Sequence, residues 1–310
     1  MFAITQRSFG GPEVLVGTEL ERPRPGRGEV LIRVRAAGVN PVDLAVRAGY
    51  FPPFPEPPSV LGWDVAGTVE EIGEGVSRFA VGDEVFGLAS FPAEAGAYAE
   101  YMTAPAGDLA PKPQALSMAE AGGLPLAGLT AWQSLVDIAG VQPGQRVLIH
   151  AAAGGVGHLA VQIAKVRGAH VIATAREANH PFLKDLGADE LIDYTVADFA
   201  ATAGPVDVVF DLVGGEYAPR SLRVLRPGGL LVTAIGHNPG LTADEAERHG
   251  MRFETVSVKA SGADMVSLGV LAEAGSLRVH VERELPLAEA AKAHTLAETE
   301  SAKGKTVLIP

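Results

Sequence analysis

The chain has 310 residues, 47% apolar and 20% charged, proportions that suit a folded globular protein large enough for two cores and exclude a disordered one. A formal charge of −12 argues against nucleic acid or an anionic membrane as partner, because nothing offsets phosphate repulsion over most of the surface. Cysteine is absent, which removes disulfides, thiolate nucleophiles and thiolate-bound zinc.

No apolar run reaches eighteen residues, and MFAITQRSFGG lacks the basic-then-apolar layout of a leader; the expected location is cytoplasmic. Strand signals dominate the first hundred residues. EVLIRVRAAGV (29–39) and TVEEIG (68–73) alternate, and turn formers such as RPRPGRG (22–28) lie between such segments. Asn40, Pro41 and Asp43 have the spacing of a helix start: a cap, a proline in the first turn and an acid at the third helical position. FPPFPEPPS (51–59) is too proline-dense for regular structure and reads as an extended loop.

From about residue 123 the pattern changes. A helical run, LAGLTAWQSLVDIAG (126–140), ends at a glycine, the residue favoured at a helix C-terminus. Short apolar runs (RVLIH, HVIATA, ELIDY, DVVFDLVG, GLLVTAIG) then alternate with helical stretches (VGHLAVQIAKVRG, HPFLKDLG, YAPRSLRVL). That alternation is the sign of a parallel sheet with helices on its faces. After about residue 263 helix and strand mix again, closing on KTVLIP. The expected fold class is α/β, a Rossmann-type doubly wound domain at 123–262 inserted into a β-rich domain formed by 1–122 and 263–310.

Ala152-Ala153-Gly154-Gly155-Val156-Gly157 separates the strand VLIH from a helix and matches G-x-G-x-x-G with Ala152 at the first glycine. In a dinucleotide site the first position makes the tight turn, the second admits a pyrophosphate and the third lets helix and strand pack closely. Free N–H groups at the helix start then face the phosphates. A packing turn without ligand is the bland alternative. The second strand ends in Thr174 and Ala175, followed by Arg176 and Glu177. It carries no carboxylate at the position that selects NAD, and the Arg176 fork suits the 2′-phosphate of NADPH. A solvated Arg176–Glu177 pair is the other reading.

Taken together, GVNPVDLAVRAGYFP (38–52), LGWDVAGTVEEIGEGVSRFAVGDEVFG (61–87), LPLAGLTAWQSL (124–135), AAAGGVGHLAVQIAK (151–165), GADELIDY (187–194), VVFDLVGG (208–215) and GKTVLIP (304–310) resemble the medium-chain dehydrogenase/reductase superfamily. More narrowly they are similar to its zinc-free quinone oxidoreductase branch, which includes zeta-crystallin. The resemblance implies a GroES-like substrate domain around the Rossmann domain, NADPH as cofactor and hydride transfer between the two. Zinc members carry a Cys and a G-H-E segment where this chain has Asn40-Pro41-Val42-Asp43 and Gly62-Trp63-Asp64, so no zinc is expected. Without a Lewis acid the natural acceptor is already polarised: a quinone or another α,β-unsaturated carbonyl.

The resemblance also implies the site residues. Asn40 is placed near substrate carbonyl or nicotinamide, and Thr130 beside nicotinamide and phosphates. Tyr194 is placed against the 2′-phosphate, and Ile235 and Gly236 near the nicotinamide. Related chains have a tyrosine in a G-x-Y pattern, but here Phe51 falls on that position and Tyr50 precedes it. Tyr50 is therefore a wall or a proton donor, with Phe51 and Phe54 offering a flat apolar slot. Lys305 has no assigned role. A homodimer is implied, although the segment between VTAIGHNPG and LGVLAEAGSL is short for the family. Two further readings stay open: an enoyl-thioester reductase, and an NADPH-binding protein with a structural or sensory role.

Overall fold

The computed structural model describes residues 1–50, 56–300 and 302–310; Phe51 and Phe54 lie outside the described residues. The chain forms two compact units. One comprises Met1–Leu129, Lys259–Gly275 and Val279–Pro310; the other comprises Thr130–Val258 and Ser276–Arg278.

The first unit opens with β1 (Phe2–Gln6), β2 (Leu15–Glu19) and β3 (Glu29–Val39). In β3 only Arg33 and Arg35 point to solvent, so most of the strand is covered on both faces. α1 (Pro41–Ala48) starts where its cap signals put it, with Asn40 extended at φ −133° and Pro41 in the first turn. Gly49 closes that helix at φ +81°, a left-handed conformation that strains any side chain. Strands β4 (Ser59–Val60), β5 (Asp64–Ile72), β6 (Glu84–Leu88), β7 (Tyr101–Pro105) and β8 (Leu109–Pro111) follow, then α2 (Met118–Gly123) and α3 (Pro125–Trp132). The helical run expected to reach residue 140 is α-helical only to Trp132 and continues as a π-helical turn over Gln133–Ile138.

The second unit alternates without exception: β9 (Arg146–Ile149), α4 (Gly157–Val166), β10 (His170–Thr174), α5 (His180–Asp185), β11 (Glu190–Ile192), α6 (Phe199–Thr202), β12 (Val206–Asp211), α7 (Tyr217–Ser221), β13 (Leu225–Thr233), α8 (Ala243–Arg248) and β14 (Arg252–Thr255). The six strands are all parallel, in the order β11-β10-β9-β12-β13-β14. Counted from β9 this is 3-2-1-4-5-6, the Rossmann order, whose direction of winding reverses between β9 and β12. Val147, Leu148, Ile149, Val171, Ile172, Val209, Phe210, Leu231 and Val232 are fully buried, as expected for strands covered on both faces. β14 was not expected from sequence. It is an edge strand whose residues are exposed or half-buried, so it carries no apolar signature.

The chain returns to the first unit through α9 (Gly262–Glu273), β15 (Val281–Pro286), α10 (Ala290–Thr299) and β16 (Lys305–Ile309). Its main sheet runs β15-β16-β3-β5-β6-β8 with β7 also on β3, and β2-β1-β4 form a small second sheet. β16 pairs antiparallel with β3, Thr306 opposite Val39. That register brings Lys305 beside Asn40, residues 265 positions apart. Among the described residues no helix is long and apolar enough to cross a membrane.

Candidate functional site

In the second unit the glycine turn leaves β9 through His150 and enters α4 at Gly157. Ala151 takes φ +47°, an unusual conformation for a residue with a side chain. Ala152 is buried, and its N–H bonds the Thr174 carbonyl at 3.1 Å, tying the turn to the end of β10. Gly154 and Gly157 differ in what keeps them bare. A Cβ on Gly157 would sit 2.5 Å from the Ala151 carbonyl oxygen and 2.6 Å from Ala152 Cα; the chain itself forbids it. A Cβ on Gly154 would meet only the Ala151 oxygen, at 3.3 Å. That contact is tight but much milder than those at Gly157, and no positive φ demands glycine there, so the bare position leaves room for a ligand. The N–H groups of Gly155 and Val156 meet no acceptor among the described residues. Free donors at the start of a helix are groups suited to bind a phosphate.

Beyond β10, Arg176 and Glu177 are both exposed. Arg176 Nε donates to the Tyr194 hydroxyl at 3.2 Å. The Glu177 N–H is held by Asp193 Oδ2 at 3.0 Å, while Asp193 Oδ1 accepts from Thr195 N and Oγ1. Hydrogen bonds from Thr195 hold the Asp193 carboxyl below its usual range, and this ionised group fixes the loop that sets Tyr194 beside Arg176. Lys165 takes no part, since its ammonium bonds both oxygens of Asp189 at 3.0 and 2.7 Å.

Behind the turn lies a polar network that the sequence reading did not single out. His150 is fully buried, with Nδ1 3.1 Å from Thr174 Oγ1 and Nε2 3.0 Å from Ser221 Oγ. Ser221 donates its own hydrogen to the Tyr217 carbonyl at 2.7 Å, so it must accept from Nε2–H. That leaves Nδ1 to accept from Thr174. Burial pushes the imidazole pKa down to about 3, with the Arg220 charge adding to the effect. Thr174 therefore directs its hydroxyl inward to His150 and meets the glycine turn through its backbone carbonyl. Ile235 and Gly236 follow β13, with Ile235 N bonded to Thr233 Oγ1 at 3.1 Å. A Cβ on Gly236 would meet nothing within 4 Å. Thr130 is buried on α3.

The first unit holds a second polar cluster. Asp43 Oδ2 accepts from Asn40 N at 2.7 Å, the acidic half of a capping box. The Asn40 carboxamide faces other partners: Nδ2 donates to Asp64 Oδ2 at 2.8 Å, and Oδ1 accepts from Lys305 Nζ. Lys305 also donates to the Val39 carbonyl at 3.2 Å and lies 3.8 Å from Asp64 Oδ2. Asp64 Oδ1 takes the Leu126 N–H at the start of α3, at 2.7 Å. Asn40, Asp43, Asp64 and Lys305 are all buried. Burial raises the Asp64 pKa, against the pull of the Lys305 ammonium, and lowers that of Lys305. Burial also pushes Asp43 up to about 8, opposed by the Asn40 N–H. Tyr50 projects into solvent just past Gly49, 83% exposed. Sequence reasoning left Lys305 unassigned and saw Asp64 only as a replaced ligand, because their meeting depends on β16 lying against β3.

Residues 186–308 match the family model described as zinc-binding dehydrogenase, and 26–114 match the alcohol dehydrogenase GroES-like domain. The residues at the two motif positions do not fit a zinc ion. Asn40 and Asp64 stand there without histidine or cysteine, and the Lys305 ammonium already bonds one and neighbours the other. Among the described residues no group of three His, Cys, Asp or Glu gathers for a metal. A quinone oxidoreductase of Pseudomonas aeruginosa is 36% identical over 98% of both chains. A 2-haloacrylate reductase of Burkholderia sp. is 37% identical over 97% of this chain and 96% of its own. The solved structure of Escherichia coli quinone oxidoreductase complexed with NADPH covers 100% of both chains at TM-score 0.90 and 30% identity. With the Rossmann strand order, the open glycine turn and likeness over the full length, the chain belongs to the medium-chain dehydrogenase/reductase superfamily, in its quinone oxidoreductase branch.

Proposed function

We propose that the protein is an NADPH-dependent oxidoreductase that delivers hydride to quinones or other α,β-unsaturated carbonyls without a metal ion. The observation that carries this reading is the pairing of a phosphate-ready glycine turn with Arg176 and Tyr194 beyond β10. Gly154, Gly155 and Val156 hold the pyrophosphate, Arg176 and Tyr194 take the 2′-phosphate, and Ile235 and Gly236 border the nicotinamide. NADPH, when bound, supplies the hydride. Asn40 orients a carbonyl through its carboxamide, Thr130 lies toward the nicotinamide, and Tyr50 offers a hydroxyl or a wall to the acceptor. Relatives named for quinone and 2-haloacrylate reduction support an acceptor whose double bond is already polarised, because charge arriving on carbon can then spread to oxygen. The same reading takes the protein as a cytoplasmic homodimer. β14 ends its sheet with one edge unpaired among the described strands, an edge that a second copy can extend.

The test is oxidation of NADPH and NADH, followed side by side with a simple quinone and a simple enone, with and without a chelator. Faster NADPH oxidation, unchanged by the chelator, is expected. Preference for NADH, or loss of turnover on chelation, would overturn it.

A further inference from the structure

The Asn40 carboxamide is held between two charges of opposite sign, and this decides which way it faces. A lysine ammonium only donates hydrogen bonds, whereas an ionised carboxylate only accepts them. With Oδ1 on Lys305 and Nδ2 on Asp64, both contacts are charge-assisted. Turning the amide by half a rotation would set its N–H groups against the ammonium and its oxygen against the carboxylate. Two attractive contacts would become two repulsive ones, in a site where Asn40 is 2% exposed, Asp64 0% and Lys305 4%. Water cannot screen either contact at such burial. Both charged groups are themselves anchored, Lys305 on the Val39 carbonyl and Asp64 on the Leu126 N–H. One Nδ2 hydrogen goes to Asp64. The other meets no acceptor among the described residues and has a single direction, set by its neighbours.

We propose that Lys305 and Asp64 are positioning residues that lock the Asn40 carboxamide in one orientation and hold its second N–H ready for the carbonyl oxygen of the acceptor. This rests on the function proposed above, in which Asn40 orients a carbonyl. Buried ion pairs are often replaceable by neutral groups of similar shape at little cost, while removal of one partner is costly. The presence of this pair beside an uncommitted amide hydrogen is explained by orientation.

The experiment compares Lys305→Met with the charge-compensated double variant Asp64→Asn/Lys305→Met. Three properties are measured: the thermal midpoint, the NADPH dissociation constant, and kcat and KM for a simple quinone. A fourth readout needs no turnover: the side-chain amide 15N–1H signal of Asn40, assigned by its loss in Asn40→Ala. In Lys305→Met we expect a lowered midpoint, a shifted and broadened Asn40 amide signal and unchanged NADPH affinity. We also expect a fall in kcat/KM of about ten-fold or more, the scale of one well-aimed donor. In the double variant the midpoint recovers, but the amide signal and kcat/KM do not. Recovery of kcat/KM together with the midpoint would reduce the pair to a support of the fold. An Asn40 signal unchanged in Lys305→Met would overturn the locking itself. Wild type that binds NADPH but reduces neither quinone nor enone would sink the proposed function, while the amide signal still decides the locking.

Discussion

Arg176 and Tyr194, eighteen residues apart on successive strand ends, meet through a 3.2 Å bond from the guanidinium Nε to the phenol oxygen. The bond aligns the guanidinium and leaves its two terminal nitrogens without a carboxylate partner among the described residues. A 2′-phosphate is the group that such a fork fits. Arg176→Ala is expected to weaken NADPH by about 1.5–3 kcal/mol, the scale of a charge-assisted bond, with little change for NADH. Tyr194→Phe should cost less, about 0.5–1.5 kcal/mol. Titration of both cofactors by fluorescence checks this, and equal losses for NADPH and NADH would make Arg176 a structural residue.

The two bare positions of the turn separate ligand space from packing. Gly154→Val is expected to abolish cofactor binding and to leave the cofactor-free protein folded, since its Cβ would meet a single backbone oxygen, at 3.3 Å, which a shift of a few tenths of an ångström relieves. Gly157→Ala should lower the thermal midpoint of the cofactor-free protein, because its Cβ would lie 2.5 Å from a backbone oxygen. Melting curves without NADPH distinguish the two. A Gly154→Val protein that binds NADPH as tightly as wild type would contradict the cradle.

Two buried histidines make the protein sensitive to acid. His150 and His294 each have a pKa near 3 in the fold, lowered chiefly by burial. In the unfolded chain a histidine titrates at about 6.5. Between those values the unfolded state binds more protons, so this stability is complete above pH 6.5 and drains away as pH falls toward 3. His150→Leu should lessen the drop in urea midpoint between pH 7 and pH 5. At pH 7 the variant should itself be weaker by about 1–3 kcal/mol, because the buried Thr174 hydroxyl is left unpaired while Ser221 keeps its bond to the Tyr217 carbonyl. An unchanged pH slope would mean that His150 does not remain neutral in the fold.

Asp43 acts in the opposite direction. Its folded pKa of about 8 lies far above the ordinary value of 3.8, so the folded state binds the extra proton across that window. Stability from this group is full below about pH 4 and is lost as pH rises through 8. Asp43→Asn stays uncharged and can still accept the Asn40 N–H through its amide oxygen. The decline in thermal midpoint from pH 6 to pH 9 should therefore be shallower in the variant, and a parallel decline would place the titration elsewhere.

Much of the nucleotide half was legible because its signals are local. The strand VLIH, the glycine turn and the helix after it lie within about twenty consecutive residues, and each position's work follows from backbone geometry. Arg176 was legible for the same reason, as the first charged residue beyond an apolar strand. His150 was hidden: a histidine closing a strand looks like any other until Thr174 and Ser221 arrive from two different elements. β14 was missed because an exposed edge strand needs no apolar alternation.

By itself the sequence determined the βαβ alternation, the cap at Asn40, the place of the glycine turn and the family, all of which rest on short-range spacing. Tertiary structure alone decided how Asn40 is held. Asn40, Asp64 and Lys305 sit on three separate segments, and nothing local to any of them indicates the other two. Only the antiparallel register of β16 on β3, and the adjacency of β3 to β5, closes that distance. Burial then decides their chemistry, because three polar groups removed from water must satisfy one another and can do so in one arrangement.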